Sequence, residues 1–196
     1  ETKSWHRIKR RQTIIDKPDL PKWFKAVRNL ANEDFRDYLT LLLLTGVRRS
    51  EGFQLQWSDI DLRNKSFIIQ DTKNHNPLFL PMGDFLYKMF KERKKTSKSE
   101  WVFPGTGRTK HMVDPKGALK EIKETTGIKF SFHDLRRLFI TTTDSLDIST
   151  YSMKALVNHS LNGDVTGGYI VSDPQRLKEP MQRIETHLLK LCRHND

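Results

Sequence analysis

SFHDLRRLFITTTDSLDISTYSMKALVNHSLNGDVTGGY, residues 131–169, holds two histidines, His133 and His159. An arginine, Arg136, follows the first at three positions, and a tyrosine, Tyr169, follows the second at ten. His133 and Arg136 stand at i and i+3 near the start of an expected helix, so they share one face. The short run Met153–Val157 is expected to end a second helix just before His159. Gly163, Gly167 and Gly168 then leave the backbone around Tyr169 free to turn. Two imidazoles, a guanidinium and a phenol suit an anionic, planar or bipyramidal group such as a phosphate.

Upstream, a helix is expected from Glu33 to Leu44, with Phe35, Tyr38, Leu39, Leu42 and Leu43 as its apolar stripe. Gly46 is its stop. The segment Thr45-Gly46-Val47-Arg48-Arg49-Ser50-Glu51 sets two arginines directly after it, with Ser50 placed to start another helix. An arginine at such a junction is carried by a rigid scaffold, although a solvated pair is the commoner fate of Arg-Arg. Before it, Asp19-Leu20-Pro21 opens a short helix reaching Leu30. After it, Lys65–Gln70 and Pro77–Leu80 read as strands joined by the turn-rich Asp71–Asn76, a hairpin. Trp57–Asp61 is a candidate third strand. Lys73 and His75 sit at the hairpin tip, where a lysine is usually solvated but could reach a DNA backbone.

Further along, Met82–Lys94 reads as an amphipathic helix, with Phe85, Leu86, Met89 and Phe90 inward. Lys91–Lys98 reads as a basic loop, Trp101–Pro104 as a short buried segment, and Gly105–Lys110 as a loop carrying Arg108 and Lys110. Helices are expected over Val113–Thr125, ended by Gly127, over His133–Leu146 and over Thr150–Val157. A last helix runs from Asp173-Pro174 to Leu191, with the stripe Leu177, Met181, Ile184, Leu188, Leu191. Its own core is the default partner of that stripe, and a neighbouring copy is the alternative. The fold class is therefore mixed α+β, mainly helical with a small antiparallel sheet or hairpin.

A chain of 196 residues can bury one real core. Its net charge of +11 favours a polyanionic partner, nucleic acid before an anionic membrane. No apolar run approaches the roughly 20 residues a bilayer span needs. A single cysteine, Cys192, fits a reducing cytoplasm. Residues 1–12 carry Lys3, Arg7, Lys9, Arg10 and Arg11. They read equally as an arm on something negative and as a frayed terminus.

The sequence holds no His-x-x-x-His, cysteine cluster or close carboxylate set, so no metal is expected. Asp134 reads as a helix N-terminal charge. No Gly-rich phosphate loop is present, so no nucleotide cofactor is expected. What remains is a set of cations and a tyrosine. Ionising a phenol of pKa about 10 at pH 7 costs roughly 4 kcal/mol, which neighbouring cations can offset. The same cations stabilise a pentacoordinate phosphate, each preorganised donor by about 2.7–4 kcal/mol. A phosphotyrosyl link keeps the energy of the broken bond, so strands could be rejoined without ATP.

In these boxes the chain resembles the tyrosine recombinases, specifically phage and prophage integrases. The resemblance spans about Thr45 to Tyr169, and its parts fall in the family's order. Thr45–Glu51 resembles the first arginine box, Thr72-Lys73 the β-hairpin lysine, and His133-Asp134-Leu135-Arg136-Arg137 the His-x-x-Arg box. Leu156-Val157-Asn158-His159-Ser160 resembles the second histidine box, and Asp164–Tyr169 the nucleophile segment. Gly52, Asn158 and Gly168 depart from the residues usual at their positions.

The resemblance implies that Tyr169 attacks a DNA phosphodiester, leaving a 3′-phosphotyrosine and a free 5′-hydroxyl. Arg48, Arg136 and His159 would hold the phosphate oxygens, Lys73 would protonate the leaving oxygen, and His133 would act as base or phosphate contact. Glu51 would support the first arginine box. It also implies site-specific recombination at double-stranded attachment sites, a tetramer on DNA, accessory bending or excision factors, and a bacterial cytoplasm. By the same resemblance, residues 1–12 are a linker, 13–172 the catalytic domain and 173–196 a tail for oligomer contact. The family's N-terminal DNA-clamping domain is not expected within this chain. A topoisomerase IB-like nicking and rejoining activity, or a non-catalytic basic DNA-binding module, are the alternatives.

Overall fold

A computed structural model describes residues 13–72, 76–158 and 174–193. In chain order these form α1 (Leu20–Arg28), α2 (Glu33–Thr45), α3 (Arg49–Phe53), β1 (Ile60–Asp61), β2 (Ser66–Ile69), β3 (Leu78–Pro81) and α4 (Asp84–Thr96). They continue with α5 (Lys116–Thr126), α6 (Phe132–Ser145), α7 (Thr150–Leu156) and α8 (Lys178–Arg193). The chain is mainly helical, with one antiparallel sheet in the order β1-β2-β3. Ile60 pairs Phe67, and Phe67 pairs Leu80, so alternate residues of the strands face the core.

Helix α2 is the axis. Asn32 opens it, its side chain accepting the Phe35 N–H at 3.1 Å. From Asp37 to Thr45 every residue is buried, not only the expected stripe. The reason is that α1, α3, α4, α6 and α8 all pack against it. Around it lie the fully buried rings of Trp23, Tyr38, Phe67, Phe90, Phe103 and Phe139.

The last helix, α8, packs on α1, α2 and α6. Met181, Ile184 and Leu188 are buried, with Leu177 and Leu191 packed beside them. This chain's own core therefore takes the stripe. A second copy would have to use another face. Glu185 of α8 is buried and accepts the N–H groups of Phe85 at 2.8 Å and Leu86 at 3.0 Å. It thus caps α4 from 100 residues away.

Several boundaries differ from expectation, each for a local reason. Only Ile60 and Asp61 of the 57–61 run join the sheet. Asp59 accepts the Gln56 N–H at 3.0 Å and winds Trp57–Asp59 into a tight turn. The helix expected to end by Lys94 runs on to Thr96, into the expected Lys91–Lys98 loop. Arg93, Lys94 and Lys95 there favour the helix C-terminus electrostatically. Helix α5 starts only at Lys116, because Pro115 fixes its entry and its carbonyl accepts the Ala118 N–H. A turn over Pro174–Leu177 precedes α8.

Candidate active site

The first arginine box is built by a helix stop. Gly46 sits at φ 63°, and its N–H closes on the Leu42 carbonyl at 3.0 Å. A side chain there would meet the Phe139 ring at 2.6 Å, so both conformation and space require glycine. The chain then runs extended through Arg48, and α3 begins at Arg49, one residue before the expected Ser50. Glu51 is buried. Its carboxylate accepts the Arg48 backbone N–H at 2.8 Å and the Arg48 Nη1 at 2.7 Å. The expected supporting role of Glu51 is thus visible as a bond. Arg48 stays partly exposed, with donors to spare.

The two neighbouring arginines have separate fates. Arg49 is exposed and lies over Phe53 and Phe132, at 6.0 and 5.8 Å from the ring centres. The departure at Gly52 also has a physical reason. The Tyr38 ring stacks on Phe53 at 4.7 Å and fills the space beside Gly52. Its hydroxyl donates to the Arg49 carbonyl at 2.8 Å.

Helix α6 is opened by Ser131, not His133. Ser131 Oγ accepts the Asp134 N–H, while Asp134 accepts the Ser131 N–H at 2.8 Å, a reciprocal cap. Asp134 also accepts from Thr13 Oγ1 at 2.9 Å and Arg137 Nη1 at 3.2 Å. It is the helix-terminal charge expected from sequence. Its bonds also fasten the chain at Thr13 to this helix start.

One turn on, Arg136 is 4% exposed. Its Nη1 donates to the Gly46 carbonyl and its Nη2 to the Val157 carbonyl, both at 2.5 Å. A single guanidinium therefore ties the first arginine box to the end of α7. Charge-assisted bonds of this kind contribute about 1.5–3 kcal/mol each. Burial and then the Arg48 charge pull the Arg136 pKa down to about 10, with Glu51 opposing. It remains a cation at neutral pH.

His133 is exposed at the helix start. Burial of part of its ring, then Arg137 and Arg136, lower its pKa below 6.5, and Arg48 acts in the same direction. These surroundings favour its neutral imidazole. The Arg48 and Arg136 charges act on one another, with Glu51 as the carboxylate that opposes them. An arriving phosphate would relieve the repulsion between the two guanidiniums.

The hairpin base is fastened to the same region. Thr72 Oγ1 donates to the Asn76 carbonyl at 2.7 Å. Asn158 Nδ2 donates to Thr72 Oγ1 at 2.9 Å and reaches the Asn76 carbonyl at 3.4 Å. Asn158 has φ 49°, the left-handed conformation in which Asn is enriched. Sequence reading passed over this tie. An Asn just past a helix end was its one local signal.

Lys73, His159 and Tyr169 lie outside the described residues. Among those described, Arg136 is bonded to the Gly46 carbonyl, two residues before Arg48, and His133 lies one turn before Arg136 on α6. A hollow of about 770 Å³ elsewhere, lined by Asp34, Asp37 and Arg93, holds none of them. In it Arg93 bonds Asp34 and Asp37.

Comparison with known proteins adds independent information. A family model described as "Phage integrase family" matches residues 14–176. Prophage integrase IntF of Escherichia coli K12 is 28% identical over 181 residues, covering 89% of this chain and 39% of IntF. The integrase of mycobacterium phage Brujita superposes with a TM-score of 0.69 at 18% identity, over 95% of this chain and 65% of that one. A lambda integrase tetramer bound to a Holliday junction gives 0.63 at 17% identity, over 81% of this chain and 50% of that one. The structural likenesses establish the fold. The chain spans less than two thirds of the length of each of these three relatives.

Proposed function

Because this chain belongs to the phage integrase family, we propose that it is the part of a site-specific recombinase that cuts and rejoins DNA through Tyr169. The observation that carries this reading is the Arg136 clamp on Gly46 and Val157, which ties one guanidinium to the segment that carries Arg48. Such a locus fits one phosphodiester and the added negative charge of its transition state.

In the proposed first step the Tyr169 hydroxyl oxygen bonds to phosphorus and the bond to the 5′ oxygen breaks. The phenolic proton passes to His133, whose neutral ring can accept it. Lys73 gives a proton to the departing 5′ oxygen. Arg48, Arg136 and His159 hold the non-bridging oxygens. The second step reverses these moves with a 5′-hydroxyl from a partner strand, and the tyrosine is released. Guanidiniums supply the positive charge and the phosphotyrosyl bond keeps the energy, so neither metal nor ATP is required.

The partners follow from the same reading. The substrate is double-stranded DNA at attachment sites, which the net charge of +11 suits. Recombination needs four copies on DNA, and accessory bending or excision factors would act with them. The work would take place in the cytoplasm of a bacterial host. Among the described residues no helix is long and apolar enough to cross a membrane.

A duplex nicked near the cleavage site tests this, because loss of the short fragment prevents rejoining. With a chelator present and ATP absent, a denaturation-resistant protein–DNA adduct with a free 5′-hydroxyl is expected, and Tyr169→Phe should abolish it. Salt-sensitive binding without any adduct would leave only a DNA-binding module. Relaxation of supercoiled DNA without strand exchange between sites would mark a topoisomerase instead.

A further inference from the structure

We propose that Asn158 is a positioning residue for proton delivery, tying Thr72 and Asn76, which flank Lys73 in the sequence, to the end of α7. This rests on the reading of Lys73 as the acid for the leaving 5′ oxygen.

Thr72 and Asn76 flank residues 73–75 in the sequence. The Thr72 hydroxyl donates to the Asn76 carbonyl at 2.7 Å. A hydroxyl has one proton to donate and lone pairs to accept. Asn158 Nδ2 uses an accepting site at 2.9 Å and reaches the same Asn76 carbonyl at 3.4 Å. The three residues form a closed triangle, joining segments 86 positions apart. Thr72 is 2% exposed, so water does not compete freely for its hydroxyl.

On the other side, Asn158 follows Val157 directly, and the Val157 carbonyl is held by Arg136. Thr72, the residue before the proposed acid, is therefore linked to the guanidinium of Arg136 through only two residues. Glycine would satisfy the φ of 49° at position 158 with less strain. It would bring no amide for the triangle. The side chain, not the backbone, is what asparagine adds here.

The test compares single-turnover cleavage of two nicked duplexes by the full chain. One carries the ordinary 5′ oxygen at the scissile link and the other a 5′ sulfur. A thiolate departs without a proton far more readily than an alkoxide, so the sulfur substrate bypasses the acid. Asn158→Gly keeps the backbone conformation and should slow cleavage of the oxygen substrate about tenfold or more, within the range a positioned acid contributes. On the sulfur substrate it should recover to within about threefold of the parent. Thr72→Val should behave likewise, and Thr72→Ser, which keeps the hydroxyl, should restore the oxygen reaction. Affinity for uncut duplex should stay within about twofold, since positioning acts on the chemical step.

Parent-like cleavage of both substrates by Asn158→Gly would overturn the proposal. Equal slowing on both would overturn it too, by placing the effect somewhere other than the leaving group. Lys73→Ala separates the levels. If sulfur fails to rescue it, Lys73 is not the acid and the underlying reading falls, whatever Asn158 does.

Discussion

Arg136 Nη1 donates to the main-chain carbonyl of Gly46 at 2.5 Å, across 90 positions of sequence. The second arm of the same fork holds Val157. A buried cation normally demands a carboxylate, but here two carbonyls take that place, and Glu51 contributes only its field. The arrangement leaves net positive charge for an incoming anion. Arg136→Lys keeps the charge but offers a point donor that cannot span both carbonyls. Adduct formation should fall about 10²–10³-fold, with the protein still folded. Gel quantification of adduct at single turnover checks this, and a parent-like rate would remove Arg136 from the site.

The space beside Gly52 belongs to Tyr38. A Cβ at 52 would lie 3.0 Å from the Tyr38 ring and 3.4 Å from Leu42. Gly52→Leu, which supplies the apolar residue usual in the family, should therefore destabilise this chain by about 1–3 kcal/mol through overpacking. Denaturant unfolding with an unchanged slope would measure it. A stabilised variant would show that the ring moves aside freely.

Glu185 links the last helix to α4. Glu185→Ala removes the acceptor of one buried and one part-buried N–H group and should cost about 2–4 kcal/mol. Burial raises its pKa, only partly offset by the bonds from Phe85 and Leu86. A raised folded-state pKa means its contribution is complete below the unfolded value of about 4.3 and is lost as pH rises through the folded value. Stability of the parent relative to Glu185→Gln should therefore increase as pH falls across that window. Thermal melts over pH 4 to 7 check the slope; the opposite sign would contradict the burial cause.

His133 has a lowered pKa, from burial and then Arg137 and Arg136. If it accepts the tyrosine proton, cleavage should be flat near pH 7 and fall only below about 6.5, as the ring charges. The same depression means its stability contribution is present above 6.5 and lost as pH falls through the folded value. His133→Asn should cleave slowly and lack this acid limb. A limb centred above pH 6.5 in the parent would assign the proton to another group.

How far the sequence alone carries differs from residue to residue. Gly46 as a helix stop, Arg48 beyond it and Arg136 one turn after His133 follow from local signals, and the fold places them together. Tyr38 beside Gly52, Glu185 at the start of α4 and Asn158 on Thr72 do not. Each joins segments far apart in the chain or on different helices, and no periodicity encodes such a partner. Helix ends shifted for similar reasons. The Ser131–Asp134 cap moved the start of α6 back from His133, and a polar, basic last turn hid the extension of α4 past Lys94 to Thr96.

The central claim is that a tyrosine, supported by these cations, becomes covalently joined to DNA. Its most direct test is to trap the adduct on nicked duplex, digest the protein and locate the nucleotide by peptide mass mapping. A 3′-phosphonucleotide on Tyr169 is the expected result. The same nucleotide on another residue, or no linked peptide despite tight DNA binding, would contradict the account.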